Sequence, residues 1–222
     1  MEIVVSANGP YVVSGAVPLA RQTILADANG DSIGWRQGEE FETAESYALC
    51  RCGHSANKPF CDGSHKVVGF DGTETASRAP YLAQSTEQTG PTLVLTDAKP
   101  PCAVARFCDV AATVWKLVEQ EGPEAARLAA SEAALCPSGR LVALHRDTGE
   151  AIEPEFEPSI GIVDDPAEGV AGPIWVRGGI PIAGSDGALY QIRNRVTLCR
   201  CGASNNKPFC DGTHWHIGFK DP

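Results

Sequence analysis

The sequence predicts an α+β protein, mainly β, in which two copies of one cysteine-rich unit flank a small α+β module. Three observations predict it. Residues 50–70 and 199–219 follow one pattern with identical spacing. Alternating segments rich in β-branched residues lead into both copies. Between the copies, apolar residues change to helical spacing.

In the first copy, Gly9-Pro10 leads through Val13 and Gly15 to Pro18-Leu19. In the second, Gly172-Pro173 leads through Val176 and Gly178 to Pro181-Ile182 in the same register. Each reads as a strand. Tyr47-Ala48-Leu49 and Val196-Thr197-Leu198 read as second strands that run into the first cysteine of each copy. The copies cover residues 1–80 and 166–222, which leaves 81–165 as the middle module. The first copy has a longer insertion between its strands, with turn signals at Asn29-Gly30 and Gln37-Gly38.

The middle opens on a strand-like run, Gly90-Pro91-Thr92-Leu93-Val94-Leu95, before a break at Pro100-Pro101. Val104, Phe107, Cys108, Ala111, Trp115 and Val118 then form one apolar helical stripe, with Pro101 suited to its start and Gly122 to its stop. A second helix is expected from Pro123 to about Leu135, where Ala and Glu dominate. Leu141–Leu144 and Ile160–Val163 read as strands.

Composition narrows the function. With 43% hydrophobic residues a packed core is expected, and 23 Gly and 16 Pro point to many turns and short strands. A net charge of -10 sets the surface against phosphate backbones and anionic lipids, so neither nucleic acid nor a membrane surface is an expected partner. No apolar run approaches the roughly 18 residues of a transmembrane helix. Met1 to Val5 lacks the basic start of a signal or transit peptide. Nine cysteines, an odd count, argue against a fully paired disulfide framework and for a reducing, cytoplasmic setting. No Gly-rich phosphate loop and no nucleophile–base signature is present, so an enzyme is not expected.

Three thiols and an imidazole recur in each copy: Cys50, Cys52, Cys61 and His65, then Cys199, Cys201, Cys210 and His214. This is a metal-ligand set. Cys50 and Cys52, one residue apart in an extended segment, leave on one face. On a helix Cys61 and His65, at i and i+4, would share a face, and Asp62 would cap its free N–H groups. The same inventory suits structural zinc, and spacing alone does not separate zinc from iron.

The pattern Cys-x-Cys-x2-Ser-x3-Pro-x-Cys-Asp-Gly-Ser/Thr-His resembles the signature of the CDGSH iron–sulfur family, the mitoNEET type. Cys50, Cys52, Ser55, Pro59, Cys61, Asp62, Gly63, Ser64 and His65 match it, as do Cys199, Cys201, Ser204, Pro208, Cys210, Asp211, Gly212, Thr213 and His214. The whole chain is also similar to bacterial tandem-CDGSH proteins with a divergent ferredoxin-like insert. The resemblance implies one [2Fe-2S] cluster per motif, with two cysteines on one iron and cysteine plus histidine on the other. It implies an intramolecular strand-exchanged pseudo-dimer, a monomer with an internal pseudo-two-fold, its clusters within roughly 20 Å in so compact a fold. Electron transfer, cluster transfer or both are expected, to a redox partner or apo-acceptor protein. Replacing a thiolate by a neutral imidazole raises the reduction potential and adds a site where a proton competes with iron, so the clusters should be pH-sensitive. A zinc-binding structural or interaction module is the alternative.

The remaining candidates divide between tuning and structure. Lys58 and Lys207 either donate near a cluster or are solvated, and Ser55 and Ser204 either donate to a cluster sulfur or hold a turn. His54 faces Ala203 in the repeat and His216 faces Val67, so neither histidine is expected to ligate. Phe60, Phe209, Phe70 and Phe219 are expected to shield the clusters. Cys102, Cys108 and Cys136 are read as structural; Cys136-Pro137 is similar to a ferredoxin ending, but a fourth ligand is missing and His145 is distant.

Overall fold

A computed structural model describes residues 1–110 and 112–221. The first unit contains β1 (Glu2–Val5), β2 (Tyr11–Ser14), β3 (Leu19–Ala26), β4 (Ser32–Glu40), β5 (Ser46–Leu49) and the one-turn helix α1 (Ser64–Val67). The middle contains α2 (Tyr81–Gln84), β6 (Thr86–Thr89), β7 (Leu93–Asp97), α3 (Val114–Glu119), α4 (Pro123–Leu135), β8 (Leu141–His145) and β9 (Ala151–Ile152). Then follow β10 (Ser159–Asp165), β11 (Val170–Arg177), β12 (Ile182–Ala183), β13 (Arg195–Leu198) and α5 (Thr213–His216). The protein is mainly β with few helices, as expected.

Three sheets form, ordered β12-β1-β2-β5, β13-β11-β10-β3-β4 and β6-β7-β8-β9. The first two are built alike. β1, β2 and β5 are antiparallel neighbours, and so are β10, β11 and β13. Each trio gains a parallel strand from the other end of the chain. β12 lies on β1, with Ile182 opposite Ile3, and β3 lies on β10, with Leu19 opposite Ile160. β10 thus takes in its sheet the place that β1 takes in the other, although it precedes residue 166.

Alternation makes these strands pair face to face. Along β1 and β2 the inward residues Ile3, Val5, Tyr11 and Val13 are buried. They meet Ile160, Ile162, Ile174, Val176, Ile182 and Leu198 from the other strands in one core. Each large aliphatic side chain so buried contributes about 1.5–3 kcal/mol.

The first unit's insertion is the β3–β4 hairpin. Its tip is the Asn29-Gly30 turn: Gly30 has φ 92°, and the Asp27 carboxylate accepts the Asn29 and Asp31 N–H groups at 2.8 and 3.0 Å. Gln37-Gly38 is not a turn. It lies inside β4, where the register slips between the Ala20–Glu40 and Gln22–Gln37 pairs, so its glycine marks a bulge.

The long middle helix expected from Pro101 to Gly122 is corrected by the structure. Only Val114–Glu119 is helical, capped by the Thr113 side chain, which accepts from the Lys116 N–H at 3.3 Å. Ala111 of the expected stripe lies outside the described residues. Val104 and Arg106 take φ of 52° and 61°, which no right-handed helix accommodates. The stripe divides instead between two cores. Val118 packs with Leu93, Leu95, Ala129 and Leu141 inside the module, whereas Phe107 packs with Ile24, Val163 and Trp175 on the neighbouring sheet. α4, β7, β8 and β10 form where their patterns place them.

Buried polar groups fix the module to that sheet. Arg195, 1% exposed, donates to the carbonyls of Ala133 and Leu141 at 2.8 and 3.1 Å and pairs with Glu153 at 2.7 Å. The Trp35 indole N–H donates to the Leu135 carbonyl at 3.1 Å.

Candidate metal centres

Each motif begins where its strand ends. β5 delivers Cys50 and β13 delivers Cys199, and the motif returns alongside: Leu49 bridges Phe60, and Leu198 bridges Phe209. The Cys50 N–H donates to the Pro59 carbonyl and the Cys61 N–H to the Ala48 carbonyl, both at 2.8 Å. Cys199 and Cys210 repeat the arrangement with Pro208 and Thr197, at 2.8 and 2.9 Å. The third cysteine is therefore held beside the first by sheet-like bonding.

Serine and aspartate shape the loop between them. Ser55 donates to the Phe60 carbonyl at 2.6 Å and accepts from the Asn57 N–H at 3.0 Å; Ser204 does the same with Phe209 and Asn206 at 2.7 and 3.0 Å. Lys58 and Lys207 curl back onto the Ser55 and Ser204 carbonyls, both at 2.8 Å. Of the two roles open to the serines, the structure gives the turn-holding one; the lysines, expected either near a cluster or in solvent, donate to carbonyls of their own loops. Asp62 accepts from the Ala56 and Ser64 N–H groups at 2.8 and 2.9 Å, and the Ser64 side chain together with these N–H groups holds its carboxylate far below the usual range. Asp211 accepts from Asn205 and Thr213 in the same way, at 2.8 and 3.0 Å.

Asp62 is not the helix cap itself, and Cys61 is not on the helix. Gly63 and Gly212 cap the one-turn helices in the left-handed region, at φ 91° and 88°. That turn, rather than a continuous helix, swings each histidine back over its cysteine. The His65 Nδ1 stands 3.4 Å from the Cys61 Sγ, and the His214 Nδ1 stands 3.3 Å from the Cys210 Sγ. The paired thiols are 3.8 Å apart for Cys50 and Cys52, and 3.7 Å for Cys199 and Cys201.

These spacings suit metal. With metal–sulfur bonds of about 2.3 Å, two thiolates on one tetrahedral ion stand about 3.8 Å apart, and a thiolate and an imidazole about 3.6 Å. Each motif therefore presents two donor pairs, each at the edge length of one ion. Among the described residues no three of His, Cys, Asp and Glu converge on a single ion. The hydrogen bond shared by Cys199 and Cys201 lowers the first and, with burial, pushes up the second; burial and the neighbouring thiol push up Cys52, and burial pushes up Cys210. Cations between the sulfurs would reverse that by stabilising the thiolates.

The two motifs touch back to back. A Cβ on Gly53 would stand 2.6 Å from the Cys201 carbonyl oxygen, and a Cβ on Gly202 2.5 Å from that of Cys52. Only glycine permits this approach, and both have positive φ, 80° and 83°. Tyr11 adds a cross-link absent from the motif. Its buried hydroxyl lies 2.8 and 2.9 Å from the Cys199 and Pro208 carbonyls, and burial lifts its pKa well above the usual value. Both features escaped the sequence reading, because they join residues far apart in the chain.

His54, His216 and His145 are exposed. Cys102, Cys108 and Cys136 are free, and burial together with the other two thiols pushes Cys108 up to about 11. His214 is 4% exposed, and its burial, reinforced by the Arg200 charge, lowers its pKa to about 4. No described helix is long and apolar enough to cross a membrane.

The model of one family, described as iron-binding zinc finger CDGSH type, matches the chain at residues 8–66 and again at 171–215. No curated protein matches it.

Proposed function

The chain is a tandem CDGSH protein of an iron-binding family, and on that premise we propose that it holds two [2Fe-2S] clusters and carries electrons, clusters or both. Cys50 with Cys52 and Cys61 with His65 would hold the first; Cys199 with Cys201 and Cys210 with His214 would hold the second. The observation that carries this reading is the division of each donor set into two pairs, at 3.8 and 3.4 Å in the first motif and 3.7 and 3.3 Å in the second. A mononuclear zinc module remains the rival, and it requires four mutually adjacent donors.

A [2Fe-2S] cluster supplies one-electron chemistry. The chain's own residues orient the donors, exclude water and control protons. Ser55, Lys58, Asp62 and their repeats fix the loops. The histidine Nδ1 is the place where a proton competes with iron, so reduction is coupled to protonation and acid releases the cluster. Replacing His65 or His214 by cysteine is expected to lower that site's reduction potential and slow its acid bleaching.

We read residues 1–80 and 166–222 as the two units of an intramolecular strand-exchanged pseudo-dimer, with 81–165 set between them. The pairing of β12 with β1 and of β3 with β10 supports this. The protein then acts as a monomeric, cytoplasmic carrier for a redox partner or an apo-acceptor, not as an enzyme. Iron, sulfide and zinc analysis with a visible spectrum tests the proposal, followed by mixing with an apo-ferredoxin. Red-brown protein with iron and sulfide in equal amounts is expected; colourless protein with stoichiometric zinc would overturn it.

A further inference from the structure

The two motifs share spacing but not counter-charge. Arg51 and Arg200, each lying between its two paired cysteines, are 2% and 3% exposed. Arg200 is paired with carboxylates, Asp164 at 3.3 Å and Asp221 closer still, and also donates to the Val163 and Gly172 carbonyls at 2.9 and 2.7 Å. Arg51 donates instead to the neutral carbonyls of Ser6 and Gly72, at 3.2 and 2.6 Å, and packs over Tyr11 and Phe70. Its Nε has no partner among the described residues. One of these differences is a register position: 21 residues after its arginine the second copy has Asp221, and the first has Gly72. Asp71 and Glu74 feel the Arg51 charge without bonding to it.

Cover differs in the same sense at the cysteine–histidine pair, although Cys201 is less buried than Cys52. Cys61 and His65 are half-buried, whereas Cys210 and His214 are 2% and 4% exposed. The loop over residues 102–106 lies on the second motif. A Cβ on Gly212 would meet the Val104 Cγ2 at 2.3 Å, while one on Gly63 meets nothing within 4 Å. Arg106 clamps that loop to Asp165 at 2.5 and 3.1 Å. From the other side, the Thr75 and Ala76 N–H groups donate to the Lys207 carbonyl at 2.8 and 2.9 Å, and the Thr75 hydroxyl to the Asn205 carbonyl at 2.7 Å.

Resting on the two clusters proposed above, we infer that these differences grade the pair: the first site is the higher-potential, solvent-facing end and the second the lower-potential, sheltered end. An added electron makes a cluster more negative. A buried guanidinium without a bonded carboxylate stabilises that charge, and so does nearby water. At the second site Asp221 neutralises the guanidinium, helped by Asp164, which is shared with Arg21, and the cover removes the water. One electron therefore passes from the reduced second site to the oxidised first, with no bond made or broken. The first site is the port at which an acceptor is served.

The test is a mediated dithionite titration of the holoprotein, followed by the paramagnetic resonance signal of the reduced clusters. Two waves of equal amplitude are expected. Arg51→Gln should shift only the upper wave, downward, and Asp221→Asn only the lower wave, upward. If Arg51→Gln fails to hold its cluster, half the visible absorption disappears and the surviving wave must be the lower one. A single wave in the unaltered protein would overturn the grading, as would an Arg51→Gln shift of the lower wave or survival of the upper. Protein with no visible absorption and no resonance signal would refute the clusters themselves, whereas two clusters titrating together refute only the grading.

Discussion

Inside the first motif, Ser55 holds the Phe60 carbonyl at 2.6 Å and Lys58 holds the Ser55 carbonyl at 2.8 Å; inside the second, Ser204 and Lys207 make the same bonds at 2.7 and 2.8 Å. Around the two motifs several contacts differ. Tyr11, Thr75 and Val104 lean on the second; Ile174, which occupies the position of Tyr11 in the repeat, has no hydroxyl to donate to the first. The comparison separates two kinds of information. A contiguous run of residues sets the ligand geometry, and distant segments set exposure and charge.

The largest expected effect tests what the copies share. Gly53→Ala and Gly202→Ala each force a Cβ against the opposite motif at positive φ. Each should cost about 2–5 kcal/mol of stability, by nearly equal amounts, in denaturant unfolding. Strongly unequal losses would break the back-to-back symmetry.

A second pair tests what the copies do not share. Gly63 and Gly212 both cap helices at positive φ, but only Gly212 faces Val104. Gly63→Ala should cost about 1–2 kcal/mol, the left-handed strain alone, and Gly212→Ala about 2–4 kcal/mol. Equal costs would mean that the loop at Val104 yields and does not seal the second site.

Tyr11→Phe is expected to cost about 1–3 kcal/mol, since the Cys199 and Pro208 carbonyls lose a buried donor. Acid release of the second cluster should quicken while that of the first is unchanged, as visible bleaching would record.

The smallest effect concerns the middle module. The Cys108 thiol, raised to about 11 from an ordinary 9.0, is protonated where an unfolded chain's thiol has ionised. Its contribution to stability is complete below pH 9 and is lost as pH rises toward 11. Alkylation by iodoacetamide should be slow at pH 8 and accelerate only in that upper window; fast labelling at pH 8 would contradict the burial.

The motifs were legible because their chemistry is written within a few residues: two thiols one residue apart, a serine and aspartate for the turns, a glycine before the histidine. The helix expected from Pro101 was misread because periodicity records that Val104 and Phe107 are apolar, not which surface they cover. Phe107 covers the sheet at Trp175, and the chain unwinds to reach it. Gly38 was recognised as punctuation, but a bulge and a turn leave the same mark. The different partners of Arg51 and Arg200 were invisible, since the repeat shows an arginine in each place and only folding brings Asp164 to one of them.

Native mass spectrometry of the freshly isolated protein addresses the two-cluster reading most directly. The expected mass exceeds that of the bare chain by two [2Fe-2S] units, with one unit lost in Cys61→Ala and the other in Cys210→Ala. An excess of two zinc ions, or a single shared cluster lost in both variants, would contradict it.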